Sequence, residues 1–210
     1  MLLFGEILFA QYTKEYENSR NLKIGLVPHY LIFRGIRFDF EKKMIEGKSI
    51  IFAPQIYYRN RKVEDIAKIE NENYFKTLYG AGVDVYQKHY FKATNITYCY
   101  YAYGLSYNYF DLTFNEYSWK TYTENGIEFQ KWEISNINEQ IHRGGINFII
   151  GIDNDIYDIF YFDVYIGLGL KYSYPITNTK QVSSKFDAFM TNYAYSGTVF
   201  TSGIKIGFKR

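Results

Sequence analysis

From Ile159 to Tyr174 the chain reads IFYFDVYIGLGLKYSY. Phe160, Phe162, Val164, Ile166, Leu168, Leu170, Tyr172 and Tyr174 take alternate places, and Tyr161, Asp163, Tyr165, Gly167, Gly169, Lys171 and Ser173 fill the others. A period of two predicts a strand with two unlike faces. One face is apolar from end to end, with aromatics at both ends. The other carries charge, hydroxyl and glycine. A strand that crosses an outer membrane needs this layout: apolar toward lipid, polar toward the lumen, aromatic at each interface.

The same alternation recurs along the chain. Leu22, Ile24 and Leu26 alternate with Lys23, Gly25 and Val27; a tight connection near Pro28 to Arg34 follows; Ile36, Phe38 and Phe40 then alternate with Arg37, Asp39 and Glu41. Ile50, Phe52, Ile56 and Tyr58 alternate with Ala53, Gln55 and Arg59, and Pro54 within this run predicts a bulge or irregular pairing. Further strands are expected around residues 79–88, 97–109, 146–152, 159–174 and 200–208, and Asp153 to Asp158 reads as a short turn. Asn60 to Lys76 is a long polar connection with a briefly helical pattern at VEDIAKI, and Ile176 to Gly197 is another. Asn115 to His142 is the longest excursion; Asn125-Gly126 inside it is a hairpin signal, so it is expected to stand as a β-ribbon.

About eight strands result, joined by short turns at one rim and mostly long loops at the other. The predicted fold is all-β: an antiparallel up-and-down transmembrane β-barrel with short periplasmic turns, long extracellular loops and both termini periplasmic. The strand glycines, Gly25, Gly104, Gly151 and Gly203 among them, all fall on the polar face. An eight-stranded lumen is just wide enough for side chains to fill, and glycine there makes room for inward Tyr and Arg. Charges of both signs share that face and must pair if buried. A lumen network of Arg37, Asp39, Glu41, Asp84, Asp163, Lys171 and Lys205 is therefore expected.

Composition agrees with this picture. Aromatics are 21% of the 210 residues, with 24 Tyr and 18 Phe, more than a soluble core needs. Tyr favours sites with one apolar and one wet end, which a membrane interface supplies. The net charge of +2 comes without a basic block, which argues against a nucleic-acid partner. The single cysteine, Cys99, precludes an intrachain disulfide and a cysteine cluster for zinc; it reads as a small apolar filler on the lipid face. MLLFGEILFA, residues 1–10, reads as a signal-peptide remnant ending at Ala10, which leaves residues 11–210 as one barrel domain.

The ending TSGIKIGFKR resembles the last strand of outer-membrane barrels, which the assembly machinery reads. The segment NLKIGLVPHYLIFRGIRFDFEKKM resembles the opening strand pair of small barrels common in Bacteroidetes, and LFAQ fits their signal-peptide ends. The resemblance is one of pattern over most of the chain. It implies a Gram-negative outer-membrane location and a porin-like fold, and it carries no catalytic motif, so activity does not follow from it.

The three histidines are the candidates for acid–base chemistry. Some membrane barrels are lipid-modifying enzymes, and one class resembles a His-x-Ser pair. His29, His89 and His142 are followed two places on by Leu31, Phe91 and Gly144, so none makes that pair. His142, near the outer rim, is the residual candidate for a catalytic base. No nucleophile-elbow, zincin or phosphate-loop spacing occurs. Trp119 and Trp132, with Tyr117, Tyr122 and Phe129, offer a recognition surface on the ribbon or pack the loop onto itself; Phe186, Phe189, Tyr193 and Tyr195 pose the same choice in the last loop.

The sequence thus predicts a monomeric, non-enzymatic barrel in outer-membrane lipid, with no cofactor or metal. Its lumen is plugged, and it serves envelope anchoring or recognition of an extracellular ligand by the loops. The alternatives are narrow or lateral transport of a small or hydrophobic ligand, a lipid-modifying enzyme, and a lipocalin-like soluble carrier whose faces would be reversed.

Overall fold

The structure is a computed structural model that describes residues 22–44, 47–60, 76–93, 97–156, 159–178 and 186–210. The leader-like stretch 1–10 and the VEDIAKI segment lie outside the described residues. The chain forms β1 (Leu22–Leu26), β2 (Gly35–Lys43), β3 (Lys48–Asn60), β4 (Thr77–Ala93), β5 (Thr97–Glu124), β6 (Ile127–Asp155), β7 (Phe160–Thr177) and β8 (Gly197–Lys209). Each strand pairs antiparallel with its neighbours in sequence, and β1 closes on β8, giving an eight-stranded up-and-down barrel. Full closure leaves no edge where the strands are all paired.

Alternation settles which way each face looks. On β7, Asp163 is 0% exposed while Leu170 is 55% exposed. Phe38, Phe52, Val85, Leu105, Ile150, Ile166 and Ile204 repeat that outward apolar placement around the wall. Isolated exposed apolar residues are ordinary, but a continuous belt of them is not. Aromatic pairs sit toward both ends of the belt. Phe160–Phe208 and Phe91–Tyr101 mark the short-turn end, and Tyr58–Tyr79 and Tyr109–His142 mark the loop end. Phe160 and Tyr172 are twelve residues apart. At about 3.3 Å per residue and a tilt of roughly 40°, that is about 30 Å along the barrel axis.

Two details differ from the sequence reading. Pro54 produces no bulge: β3 pairs with β4 straight through it, as Pro54↔Val83. Toward β2 the pairs resume in the same register after Arg37↔Gln55, at Phe40↔Phe52. The ladder lapses opposite Pro54, which has no N–H to give. The shift occurs instead at Tyr90/Lys92, between β4 and β5. Asp153 belongs to β6 rather than to a turn, pairing with Tyr98 and Asp163. The expected ribbon at 115–142 is present, as the uninterrupted upper parts of β5 and β6, so the strand count stays at eight. Their tip turns at Asn125 (φ 50°) and Gly126 (φ 80°), the two left-handed residues a tight hairpin turn requires.

The interior is layered. Toward the short-turn rim, Tyr86, Tyr90, Tyr98, Tyr100 and Tyr165 pack with Ile51, Ala53, Ala102 and Ile149. Toward the loop rim, Phe110, Leu112, Phe114, Ile137 and Ile141 on the inner face of β5 and β6 meet Phe186 and Ala194 from the last connection. Glycine admits the lumen tyrosines where strands crowd. A Cβ on Gly25 would strike the Tyr161 hydroxyl, and one on Gly151 would lie 2.5 Å from the Tyr100 hydroxyl.

Candidate functional site

Period-two geometry aims one charged side chain after another at the barrel axis. Lys23 Nζ lies 2.7 Å from Asp153, and Lys88 Nζ lies 3.0 Å from both Glu41 and Asp153 and 3.3 Å from Asp163. Lys205 Nζ lies 2.9 Å from Asp39 and 3.7 Å from Asp163. Arg37 bonds Asp39 and Asp84, each at 2.7 Å. Hydroxyls add further bonds: Ser49 and Tyr90 donate to Glu41 at 2.6 Å, and Tyr100 donates to Asp163 at 2.6 Å. The cluster draws on all eight strands and runs unbroken from Lys23 to Asp84. Isolated charges in such a place would be prohibitive, and here each is paired and hydrogen-bonded.

Of the residues singled out in the sequence, Arg37, Asp39, Glu41, Asp84, Asp163 and Lys205 meet in this cluster. Lys171 does not. It lies higher on β7, and its ammonium contacts the Ser106 hydroxyl. Lys23, Lys88 and Asp153, absent from that set, are central. Lys23 and Lys88 shared the parity of the others, so alternation could have included them. Asp153 was hidden because Asp153 to Asp158 reads as a turn, whereas the residue is paired on both sides within β6.

Above the cluster lies a cavity of about 870 Å³. Its floor is built by Arg37, Asp84, Gln55 and Asn108, with Gln55 donating to Asp84 at 3.2 Å and to Asn108 at 2.8 Å. Tyr193 covers it from the last connection and packs 4.8 Å from Phe110, centroid to centroid. Arg143 and Lys171 face into it. Arg143 donates to the Asn192 carbonyl at 3.3 Å, with its guanidinium over the Phe110 ring. Among the described residues no carboxylate lies within ion-pair distance of either cation.

The ribbon has two faces of its own. Ser118 and Ser135 bond each other on the buried side. On the other, Trp119 pairs with Trp132, rings 5.1 Å apart, and Tyr117 stacks on Trp132 at 6.2 Å. The tryptophans remain 50% and 52% exposed. Lys120 and Lys131 both reach Glu133, at 2.9 and 3.6 Å, and the Tyr122 hydroxyl donates to it. The hydroxyl bond, then Lys120, holds the Glu133 carboxyl below its ordinary range. In the last connection Phe186 is buried against Phe114, whereas Phe189 is exposed. His142 faces outward, its Nδ1 2.8 Å from the Tyr107 hydroxyl, within the aromatic row. Cys99 is a free, partly exposed thiol. Among the described residues no group of His, Cys, Asp and Glu is arranged to hold a metal ion.

No family model and no curated protein matches the chain. Among solved structures, Acinetobacter baumannii CarO shares 11% identity over 90% of this chain and 98% of its own, with a TM-score of 0.44. Acinetobacter baumannii CarO2 shares 10% identity over 91% and 98%, with a TM-score of 0.39. These are Acinetobacter proteins rather than the Bacteroidetes barrels that the opening segment resembles, and they are too distant to assign the chain to either group.

Proposed function

We propose that the chain is an integral outer-membrane β-barrel protein whose lumen is blocked by its own ion pairs, and that it works as an envelope anchor or through its outer loops. The observation that carries this reading is the division of faces: a belt of outward apolar side chains around a lumen spanned by paired charges. Water is a poor solvent for such a belt and hydrocarbon a good one. The short-turn rim, with the start of β1 and the end of β8, then faces the periplasm, and the β5–β6 ribbon projects outward. Trp119 and Trp132 present the kind of half-exposed aromatic surface on which partners anchor. Phe208, near the end of β8, is where the assembly machinery would engage the chain.

Two measurements test the proposal. The protein should fractionate with membranes and migrate on gels in a heat-modifiable way; recovery in the soluble fraction would favour the carrier. In planar bilayers it should show no steady conductance; discrete channel openings would remove the plug. The enzyme alternative predicts a changed lipid profile when His142→Ala replaces the wild type in cells, and the present reading predicts no change.

A further inference from the structure

The barrel wall is complete only in its lower half. β1 ends at Leu26, where it pairs with Ile206, while β8 continues upward beside β7 to Lys171↔Gly197. Residues 197–205 of β8 therefore have a strand neighbour on one side only. In place of a continued β1, the chain makes a single 3-10 turn, Pro28–Leu31. That turn leans into the lumen. His29 lies against Tyr165, and a Cβ on Gly203 would meet its ring. At its end Leu31, and beyond it Ile32 and Phe33, are exposed.

The cavity opens at this seam. Its lining includes both faces of β8: Val199, Thr201 and Gly203 on the inside, Phe200, Ser202 and Ile204 on the outside. A void that wraps the free edge of a strand connects lumen to belt. An unpaired sheet edge is not tolerated against bare hydrocarbon, so polar groups must reach it. Inside, the chamber offers Arg143 and Lys171, neither within ion-pair distance of a carboxylate among the described residues; the Asp84 carboxylate on the floor is already paired with Arg37. Four buried polar atoms on its lining also lack any protein partner: His29 Nδ1, Arg143 Nε, Asn147 Oδ1 and Thr201 Oγ1. Asn147 is only 5% exposed. Buried polar atoms in that state call for a ligand or ordered water.

We infer that this chamber is a lateral binding site for a single-chain anionic amphiphile that enters from the bilayer between β8 and the β1–β2 connection. The headgroup oxygens accept from Arg143, Lys171 and Thr201. The hydrocarbon chain stays outside along Phe200, Ile204 and Ile206. The floor of ion pairs stops the ligand from passing straight down the axis. The site rests on the outer-membrane reading, since only a lipid-facing wall makes a side entrance useful.

The test uses the full protein in phosphatidylcholine nanodiscs and dodecanoate carrying a terminal diazirine. Photolysis should place adducts mainly on residues 200–206 and 31–33. Arg143→Gln combined with Lys171→Gln should lower that labelling about tenfold or more, as the loss of charge-assisted hydrogen bonds predicts. Thr201→Phe, which fills the chamber and keeps both cations, should also abolish it. Heat-modifiable migration identifies variants that have folded, and if the double variant fails that check the Thr201 variant decides alone. Adducts spread evenly around the apolar belt, equal labelling by the matching neutral alcohol, or full displacement by inorganic phosphate would each overturn the inference. These outcomes leave the barrel itself standing. Failure of the wild type to insert in lipid would instead remove the outer-membrane reading.

Discussion

The two halves of the lumen solve the problem of buried charge in opposite ways. In the lower half each charged group of the cluster has an opposite partner, and the β1–β8 seam is zipped from Lys23↔Lys209 to Leu26↔Ile206. In the upper half Arg143 and Lys171 have none, and the seam is open. The lower half follows the rule for structure: pair every charge, then close the wall. The upper half departs from it, and local departures of this kind mark functional sites. The same strands run through both halves, so the difference lies in which side chains face inward and in where β1 stops.

The largest test of this contrast is Lys88→Met. It leaves the packing volume nearly unchanged but removes the cation shared by Glu41, Asp153 and Asp163. Breaking a buried pair by removing one partner costs about 3–5 kcal/mol. Denaturant unfolding of the protein in vesicles should register a loss of that order. Next comes a pair of glycines on one strand. At Gly207 a Cβ would meet the backbone of Gly25 at 2.6 Å, across the zipped seam. Gly207→Val should cost about 1–3 kcal/mol as overpacking. At Gly203 the nearest atoms are the movable ends of His29 and Tyr165. Gly203→Ala should cost clearly less, and equal losses would erase the distinction between the seam's two parts.

Smaller still is Lys171→Met. No carboxylate is orphaned, so unfolding should shift by less than about 1 kcal/mol, the net worth of one hydrogen bond. A loss as large as that of Lys88→Met would mean that the upper half is structural too. The smallest effect belongs to the ribbon, outside both halves. Glu133 is held below its ordinary 4.5, chiefly by the Tyr122 hydroxyl and then by Lys120. A carboxyl depressed in the folded state stabilises above its unfolded value, and that support fades as pH falls below about 4.5. The fluorescence of Trp119 and Trp132 should report a slight loosening in acid, and Glu133→Gln should remove the pH dependence.

Much of the architecture is legible in the sequence. Alternation in Ile159–Tyr174 assigned both faces of β7, because in a strand side-chain direction depends on parity alone. Asn125-Gly126 located the ribbon tip, since few residue pairs accept two positive φ angles. Parity also put six charged residues in the lumen cluster. It failed for Lys171, which shares the inward face but not the height, and height depends on register between strands. It failed for Asp153, whose neighbours Asn154 and Asp155 look like turn residues although pairing with β5 and β7 keeps them extended. Pro54 misled for a related reason: its missing N–H interrupts one ladder without shifting either.

The sequence by itself determined that strands of period two would present a greasy side and a charged side, and that there would be about eight of them, because alternation is a property of near neighbours along the chain. Only the tertiary structure decided which carboxylate answers which ammonium, and that the wall stays open beside residues 197–205. Those outcomes depend on register, barrel closure and the inward lean of the Pro28–Leu31 turn, and they bring together residues more than a hundred positions apart.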